Sequence, residues 1–314
     1  MSPFIPESDS GRLNDRLAEE LLQGTSRTFA LAIPLLASER RRQIGLAYLL
    51  FRVADSIEDA PDADVALKIR LLRGFLAAAG DSAAADTSAN LDQELAGMAG
   101  LWPSESATSQ LLRNAPQLIA MLRTTSPAAA RTIRKALNRT TDGMIQFLEA
   151  SRISSRQIQI RSIPELQFYC YVVAGIVGEM LTDLFLSQHC SLQSPQSELY
   201  DLSPKFGEFL QLINILKDVE TDALGGRFFI PNGISRESVL ALASSAAKDA
   251  DRYISILEEY LFPTDVVSFC RFLYLLGAGT LNRLKLGNPE NKLTREEVMR
   301  LLQISRSSHQ TVLL

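Results

Sequence analysis

Residues 207–222 have the sequence GEFLQLINILKDVETD, and this stretch decides the fold class. At about 100° per residue, its leucines and isoleucines cover most of a helix surface, which predicts a buried helix. Polar side chains repeat at spacings of 3, 4 and 4 and therefore share one face: Gln211, Asn214, Asp218 and Asp222. A polar row on a buried helix needs a partner, and carboxylates one turn apart suit a divalent cation with its anionic ligand.

Residues 48–59, YLLFRVADSIED, repeat this pattern on a second predicted helix. The polar row consists of Tyr48, Arg52, Asp55 and Asp59, and Glu58 lies next to it. Like charges one turn apart repel each other, so the arrangement indicates a missing positive partner. Mg²⁺ fits, because it binds one or two carboxylates and completes its shell with water and substrate phosphate. The two stretches together predict a magnesium site.

Composition excludes several classes of protein. The chain has 314 residues, of which 46% are hydrophobic and 22% charged, as expected of a globular protein. A net charge of −4 gives no basic field for nucleic acid. No uninterrupted apolar run reaches ~18 residues, so we expect no transmembrane segment. The first residues lack a basic segment followed by an apolar one, so we expect no secretory signal and a cytoplasmic location.

Histidine and cysteine are scarce. The two histidines, His189 and His309, argue against a histidine-based metal site or a Ser-His-Asp relay, and we expect His189 to be exposed. The three cysteines lack close spacing and fit a reducing compartment. The basic run Arg40–Arg42 is open to three interpretations: a solvated face, a flap over bound diphosphates, or a contact with a membrane surface.

Helical periodicity continues along most of the chain, without a repeat or a persistent alternation typical of strands. The exception is the low-complexity stretch 77–90, AAAGDSAAADTSAN, which predicts an exposed loop. Residues 165–188 are long and almost wholly apolar, which favours a buried helix. We therefore predict one all-α domain over residues 11–304, a flexible tail at 1–10 and a second tail at 305–314.

Five motifs follow one another along the chain: SRTF (26–29), LLFRVADSIEDA (49–60), YCYVVAGIVG (169–178), NILKDVETDALGGRFFIP (214–231) and KLTREEV (292–298). From about Gly24 to Val298 the sequence resembles the squalene/phytoene synthase family, the head-to-head prenyl diphosphate synthases. Two positions depart from the family pattern. Val172 stands where squalene synthases often have tyrosine, and Thr221 stands where glutamate is common.

The resemblance implies an all-α bundle with a central cavity and the two aspartate helices facing each other across it. It implies that Mg²⁺ is held by Asp55, Asp59, Asp218 and Asp222, supported by Glu58. It implies diphosphate and cavity contacts from Ser26, Arg27, Phe29, Arg52, Gln211, Asn214, Lys217 and Arg227. Tyr48 and Tyr169 match tyrosines with proton-transfer or cation-guiding roles. Tyr171 is a further candidate for the cavity wall, and Gly175 and Gly178 permit close approach of a helix or ligand.

The function implied by the resemblance is a Mg²⁺-dependent prenyltransferase that joins two farnesyl diphosphates through presqualene diphosphate to a C30 product. Whether NADPH completes the reaction is left open. The alternatives are a phytoene synthase acting on geranylgeranyl diphosphate, a dehydrosqualene or presqualene diphosphate synthase that uses no NADPH, a non-catalytic prenyl-diphosphate-binding subunit, and a purely structural protein. Peripheral contact with the inner membrane face also stays open, and the sequence does not indicate an oligomeric state.

Overall fold

A computed structural model describes residues 9–60, 63–80, 85–153, 158–189, 195–287 and 292–307. These residues are predominantly helical, which confirms the all-α fold class. Within the described ranges, β pairing is limited to one isolated parallel bridge between Gln159 and Phe228. The tails 1–10 and 305–314 lie largely outside the described residues.

Contacts group the chain into two compact units, Met1–Leu137 and Asn138–Leu314, with the boundary inside one long helix. Each unit has its own buried apolar residues, including Leu49, Leu50 and Phe75 in the first and Phe209 and Phe269 in the second. The prediction of one catalytic domain over residues 11–304 stays a prediction.

The helices of the first unit are α1 (Asp9–Thr25), α2 (Phe29–Ala32), a 3₁₀ turn (Ile33–Leu35), α3 (Ser38–Glu58), α4 (Val65–Ala79), α5 (Ala85–Ala99), α6 (Ala107–Arg113), α7 (Ala115–Thr124) and the start of α8 (Pro127–Ile153). Side chains cap two of them: Asp64 accepts the Leu67 N–H at the start of α4, and Ser106 accepts the Ser109 N–H at the start of α6. Helix α3 is central, because it packs against α1, α4, α6 and α7.

One local expectation for this unit was wrong. The stretch 77–90 is mostly helical where it is described, because Ala77–Ala79 end α4 and residues 85–90 begin α5; alanine has the highest helix propensity. The cationic run Arg40–Arg42, for which the sequence left three interpretations open, lies in the first turns of α3. Arg41 donates to the backbone carbonyls of Leu36 and Pro34, and Arg42 lies 3.5 Å from Asp15. These contacts favour a structural role for both side chains over a flap.

The helices of the second unit are the remainder of α8, α9 (Ile163–Cys170), a π-helical turn (Tyr171–Gly175), α10 (Ile176–Ser187), α11 (Gln196–Leu224), α12 (Arg236–Glu259), α13 (Thr264–Lys285) and α14 (Arg295–Arg306). Helix α11 packs against α9, the π-helical turn, α10, α12 and α13. It begins at Gln196 and contains Pro204. In a regular helix the N–H of residue 204 would donate to the Tyr200 carbonyl, but proline has no N–H. The Ser203 hydroxyl lies 3.4 Å from this carbonyl and donates to it instead.

Glycines allow α10 and the π-helical turn to touch α11 backbone to backbone. A Cβ atom on Gly178 would lie 2.1 Å from the Ser203 carbonyl oxygen, and one on Gly207 would lie 2.1 Å from the Ala174 carbonyl oxygen. These distances are far below van der Waals contact, so neither position has room for a side chain. The expected close approach of a helix at Gly178 is therefore confirmed.

The continuous segment Ile163–Ser187 is long and apolar enough to cross a membrane by length and composition. In its most apolar window, however, 56% of the residues are buried inside the protein, as in the core helix of a soluble protein. This feature alone is weak evidence of a span.

Candidate active site

The early SRTF motif and the first aspartate helix meet around Tyr48. The Ser26 hydroxyl accepts the Phe29 N–H at 2.9 Å, which fixes the turn between α1 and α2. The rings of Phe29 and Tyr48 pack with centroids 4.8 Å apart, and the Tyr48 hydroxyl lies 3.5 Å from the Thr25 carbonyl oxygen. Burial raises the pKa of Tyr48 above 10, opposed by a hydrogen bond with Ser26, so the phenol is protonated at neutral pH. Arg27 is exposed.

The carboxylates of the first motif lie at the end of α3. Arg52 Nη1 lies 3.5 Å from Asp55 Oδ2, and about a third of each side chain is exposed. Burial raises the pKa of Asp55 to about 6; Arg52 opposes the rise and the negative charge of Asp59 adds to it. Asp59 is exposed, whereas Glu58 is buried. The Asp55 charge is therefore incompletely compensated, as expected of a cation site, and Glu58 is the less accessible of the candidate ligands.

The second motif contains a kink that the sequence did not predict. Asp218 has non-helical backbone angles, φ −107° and ψ 15°, which interrupts α11 between Lys217 and Val219. The polar row is therefore not carried by one regular helix, although Gln211, Asn214, Asp218 and Asp222 all retain some exposure. Beside the kink, Lys217 Nζ lies 3.2 Å from both Asn214 Oδ1 and Asp218 Oδ2.

The Gly-Gly-Arg turn after α11 brings a second cation to this motif. Gly226 adopts φ 78°, a conformation that glycine tolerates without strain. The chain then folds back so that the Arg227 N–H donates to the Asp222 carbonyl at 2.8 Å, and Arg227 Nη2 lies 3.0 Å from Asp222 Oδ1. The Asp222 side chain keeps 16% of its surface exposed. Each aspartate of the second motif thus has a basic neighbour.

Tyr169 lies in a cluster of aromatic rings. Its ring meets Phe147 edge-on at 5.2 Å and packs against Phe229 at 4.7 Å, between centroids. Phe229 follows directly on the segment that pairs with residues 158–160, where the Phe228 N–H donates to the Ile158 carbonyl at 2.8 Å. Phe229 therefore connects Tyr169 to the turn that carries Arg227. Sequence reasoning missed Phe147 and Phe229, although Phe229 lies inside a quoted motif.

Tyr171 belongs to a polar cluster, which its interpretation as a wall residue did not anticipate. Its hydroxyl contacts Arg139 and donates to Glu179 Oε1 at 3.0 Å, and Arg139 also contacts Glu179. Glu179 therefore has partners within the protein, as does Asp183, which accepts the Tyr200 hydroxyl at 2.6 Å. Arg139 was not singled out from the sequence. Val172 is buried against Gly143 of α8, and Gly175 ends the π-helical turn.

The donor atoms fit a hard cation that brings further ligands of its own. Across the described residues, no three His, Cys, Asp or Glu side chains group closely enough to hold a metal ion. Each motif instead offers two aspartates, which matches the way Mg²⁺ is held together with water and substrate phosphates. His189 is half-buried and stacks on Phe262 with ring centroids 4.0 Å apart, so the expectation that it is exposed was wrong.

The chain is similar to known proteins over most of its length. The family model of squalene/phytoene synthase matches residues 22–260. The chain is 30% identical over 202 residues to Botryococcus squalene synthase from Botryococcus braunii, covering 64% of this chain and 38% of that protein. It is 30% identical over 238 residues to squalene synthase ERG9 from Gibberella zeae, covering 74% of this chain and 46% of that protein. The chain thus spans less than half the length of these curated relatives.

Solved structures share the fold. A complex of TcSQS with the ligand E5700 aligns over 93% of this chain and 86% of that chain, with a TM-score of 0.67 and 23% identity. A dehydrosqualene synthase in complex with a ligand aligns over 94% and 96%, with a TM-score of 0.57 and 19% identity. At these identities the similarity shows the fold alone.

Proposed function

Because the chain belongs to the squalene/phytoene synthase family, we propose that it joins two farnesyl diphosphates head to head, through presqualene diphosphate, to a C30 product. The observation that carries the proposal is the pairing of carboxylates with cations in both motifs, Arg52 with Asp55 and Arg227 with Asp222. The squalene-type first motif favours the C15 substrate over geranylgeranyl diphosphate.

The basic side chains explain how a diphosphate is bound and released. An allylic diphosphate ionises when its C–O bond breaks and the electron pair leaves with pyrophosphate, so the leaving group must be stabilised. Arg27, Arg52, Lys217 and Arg227 are the candidates for this role. Mg²⁺, when held by Asp55, Asp59, Asp218 and Asp222, supplies further neutralisation of the leaving charge. Asn214 and Gln211 offer amides for orienting the phosphate oxygens.

Aromatic side chains suit the carbocation left by ionisation. The second prenyl diphosphate attacks this cation through its double bond, and loss of a proton gives the cyclopropylcarbinyl diphosphate. Ring faces attract cations, so the cluster of Tyr169, Phe147 and Phe229 fits a wall that guides the cation and excludes water. Tyr48 is the second candidate for a proton-transfer or guiding role.

Incubating the purified protein with farnesyl diphosphate and Mg²⁺, with and without NADPH, tests the proposal by mass spectrometry of the extract. Squalene formed only with NADPH identifies a squalene synthase, and dehydrosqualene without NADPH identifies a supplier of carotenoid-type products. Presqualene diphosphate in both reactions identifies an enzyme of the first half-reaction. Turnover of geranylgeranyl diphosphate alone replaces the proposal with a phytoene synthase. Mg²⁺-dependent binding of prenyl diphosphate without product indicates a non-catalytic subunit. The absence of any such binding indicates a structural protein.

Variants of the motif aspartates test the site. Asp55→Asn and Asp218→Asn should each abolish turnover and leave the helical circular dichroism spectrum unchanged, because each removes a charge without creating a cavity. Glu220→Gln is the matched control, since Glu220 is an exposed acidic residue of α11 between Asp218 and Asp222. Near wild-type turnover of either aspartate variant at ordinary Mg²⁺ contradicts the assignment.

Flotation with anionic liposomes separately tests our proposal of a cytoplasmic protein in peripheral contact with the inner membrane face.

A further inference from the structure

Arg139, Tyr171 and Glu179 form a closed cluster of three side chains, which we call the tyrosine clamp. Arg139 contacts both the Tyr171 hydroxyl and the Glu179 carboxylate, and the Tyr171 hydroxyl donates to Glu179 Oε1 at 3.0 Å. Arg139 and Glu179 keep 38% and 23% of their side chains exposed, so the ion pair is partly shielded from water. Such networks couple more strongly than an isolated surface pair.

The tyrosine clamp depends on the π-helical turn. In a regular α-helix, residues eight positions apart are rotated by about 80° from each other, so Tyr171 and Glu179 would point in different directions. The turn Tyr171–Gly175 accommodates an extra residue, which changes the rotation between the two positions. The hydrogen bond between the two side chains forms with this altered rotation. Helices with such turns often carry them at functional sites.

Helix α8 supplies the other side of the arrangement. This helix carries Arg139 and, next to it, the buried Thr140. The Thr140 hydroxyl donates to the Val172 carbonyl at 3.0 Å, which satisfies this acceptor at a place where the helical backbone hydrogen bonds are irregular. A Cβ on Gly143 would lie 2.4 Å from Val172 Cγ1, so glycine leaves the space that Val172 occupies. Three positions of α8 thus hold residues 171 and 172 in place.

The π-helical turn lies directly after α9, which carries Tyr169. We propose that Arg139 is a positioning residue that acts through Tyr171: with Glu179 it locks the π-helical turn and so sets the orientation of Tyr169 against Phe147 and Phe229. The inference rests on the proposed function, because it concerns the orientation of a side chain proposed to act on the carbocation. Arg139 itself contacts other side chains of the protein, so its effect is expected on the rate of the chemical step more than on substrate binding.

The test combines hydrogen exchange with steady-state kinetics on the full chain. The variants are Arg139→Gln, the conservative Arg139→Lys, Tyr171→Phe and the double variant Arg139→Gln/Tyr171→Phe. The control is Arg252→Gln, because Arg252 also pairs with two carboxylates, Glu198 and Glu259, on the surface of the same unit. Exchange of the amides in Tyr171–Gly175 is measured without substrate, and kcat and KM are measured with farnesyl diphosphate and Mg²⁺.

We expect Arg139→Gln to speed exchange in the π-helical turn about tenfold or more and to lower kcat about tenfold, with KM changed by less than about threefold. Arg139→Lys should recover part of both effects, and the double variant should be no slower than the slower single variant, because both residues act as one unit. Arg252→Gln should change neither quantity.

Unchanged exchange in Arg139→Gln overturns the inference, as does a double variant whose losses in kcat multiply. An effect confined to KM also overturns it, since it would place Arg139 in direct contact with substrate. A wild-type protein that converts no prenyl diphosphate contradicts the proposed function instead. In that case the exchange measurement, which needs no substrate, still decides whether Arg139 locks the turn.

Discussion

Replacing Gly207 by alanine tests the close approach between α11 and the π-helical turn. An added Cβ would lie 2.1 Å from the Ala174 carbonyl oxygen, 2.5 Å from its carbon and 2.9 Å from the Gly175 nitrogen. All three contacts are backbone atoms, so no side-chain rotation relieves them, and the two segments must separate by more than 1 Å to reach ordinary contact. Such overpacking costs about 3 kcal/mol or more, against a gain of about 1 kcal/mol in helix propensity.

The expected net loss is therefore about 2 kcal/mol, which lowers the thermal midpoint of a unit of this size by about 4–8 °C. The assay is thermal unfolding followed by circular dichroism at 222 nm. Gly97→Ala is the matched control: Gly97 is an exposed glycine in α5, and a Cβ there meets nothing within 4 Å. It should leave the midpoint unchanged or raise it slightly. A midpoint for Gly207→Ala equal to or above wild type would refute the close packing.

Three further predictions concern charge and packing. Burial raises the pKa of Asp55 to about 6, so its ionisation destabilises the folded metal-free protein above that pH. Asp55→Asn should therefore raise the thermal midpoint at pH 7.5 and lose this advantage below pH ~4. Mg²⁺ should narrow the difference in midpoint between the variant and the wild type. Hydrogen bonds from Arg283 lower the pKa of Glu297 to about 2, so the stability that this pair contributes above pH ~4.5 is lost as the pH falls toward 2. Glu297→Gln should reduce this fall in a pH series of unfolding midpoints. A fall as steep as that of the wild type would contradict the pairing. Phe229→Ala removes a buried ring that packs on Tyr169 and should cost about 3–5 kcal/mol by urea unfolding and reduce turnover. Phe229→Leu should cost less than half as much. A loss below about 1 kcal/mol for Phe229→Ala would show that ring packing is unimportant there.

Sequence reasoning identified the helices that carry both aspartate motifs, because apolar residues at helical spacing determine which face is buried. It also placed Arg52 and Asp55 on one face of the first of these helices, where the two side chains lie 3.5 Å apart. It failed for residues 77–90 because low complexity was interpreted as a loop, although alanine-rich segments favour helix. It also treated α11 as regular through Asp218, since a break in φ and ψ at one residue leaves no mark in hydrophobic periodicity.

The sequence by itself determined the all-α class, the family and the residue types of the candidate site, because these depend on local periodicity and on motif order. The tertiary structure decided which distant side chains meet. Arg139 and Tyr171 are 32 positions apart, and Tyr169 and Phe229 are 60 apart, so their contacts depend on how helices and loops pack. The π-helical turn and the backbone contact at Gly207 are likewise products of packing. Their energies come from interactions between segments, which short-range sequence patterns do not encode.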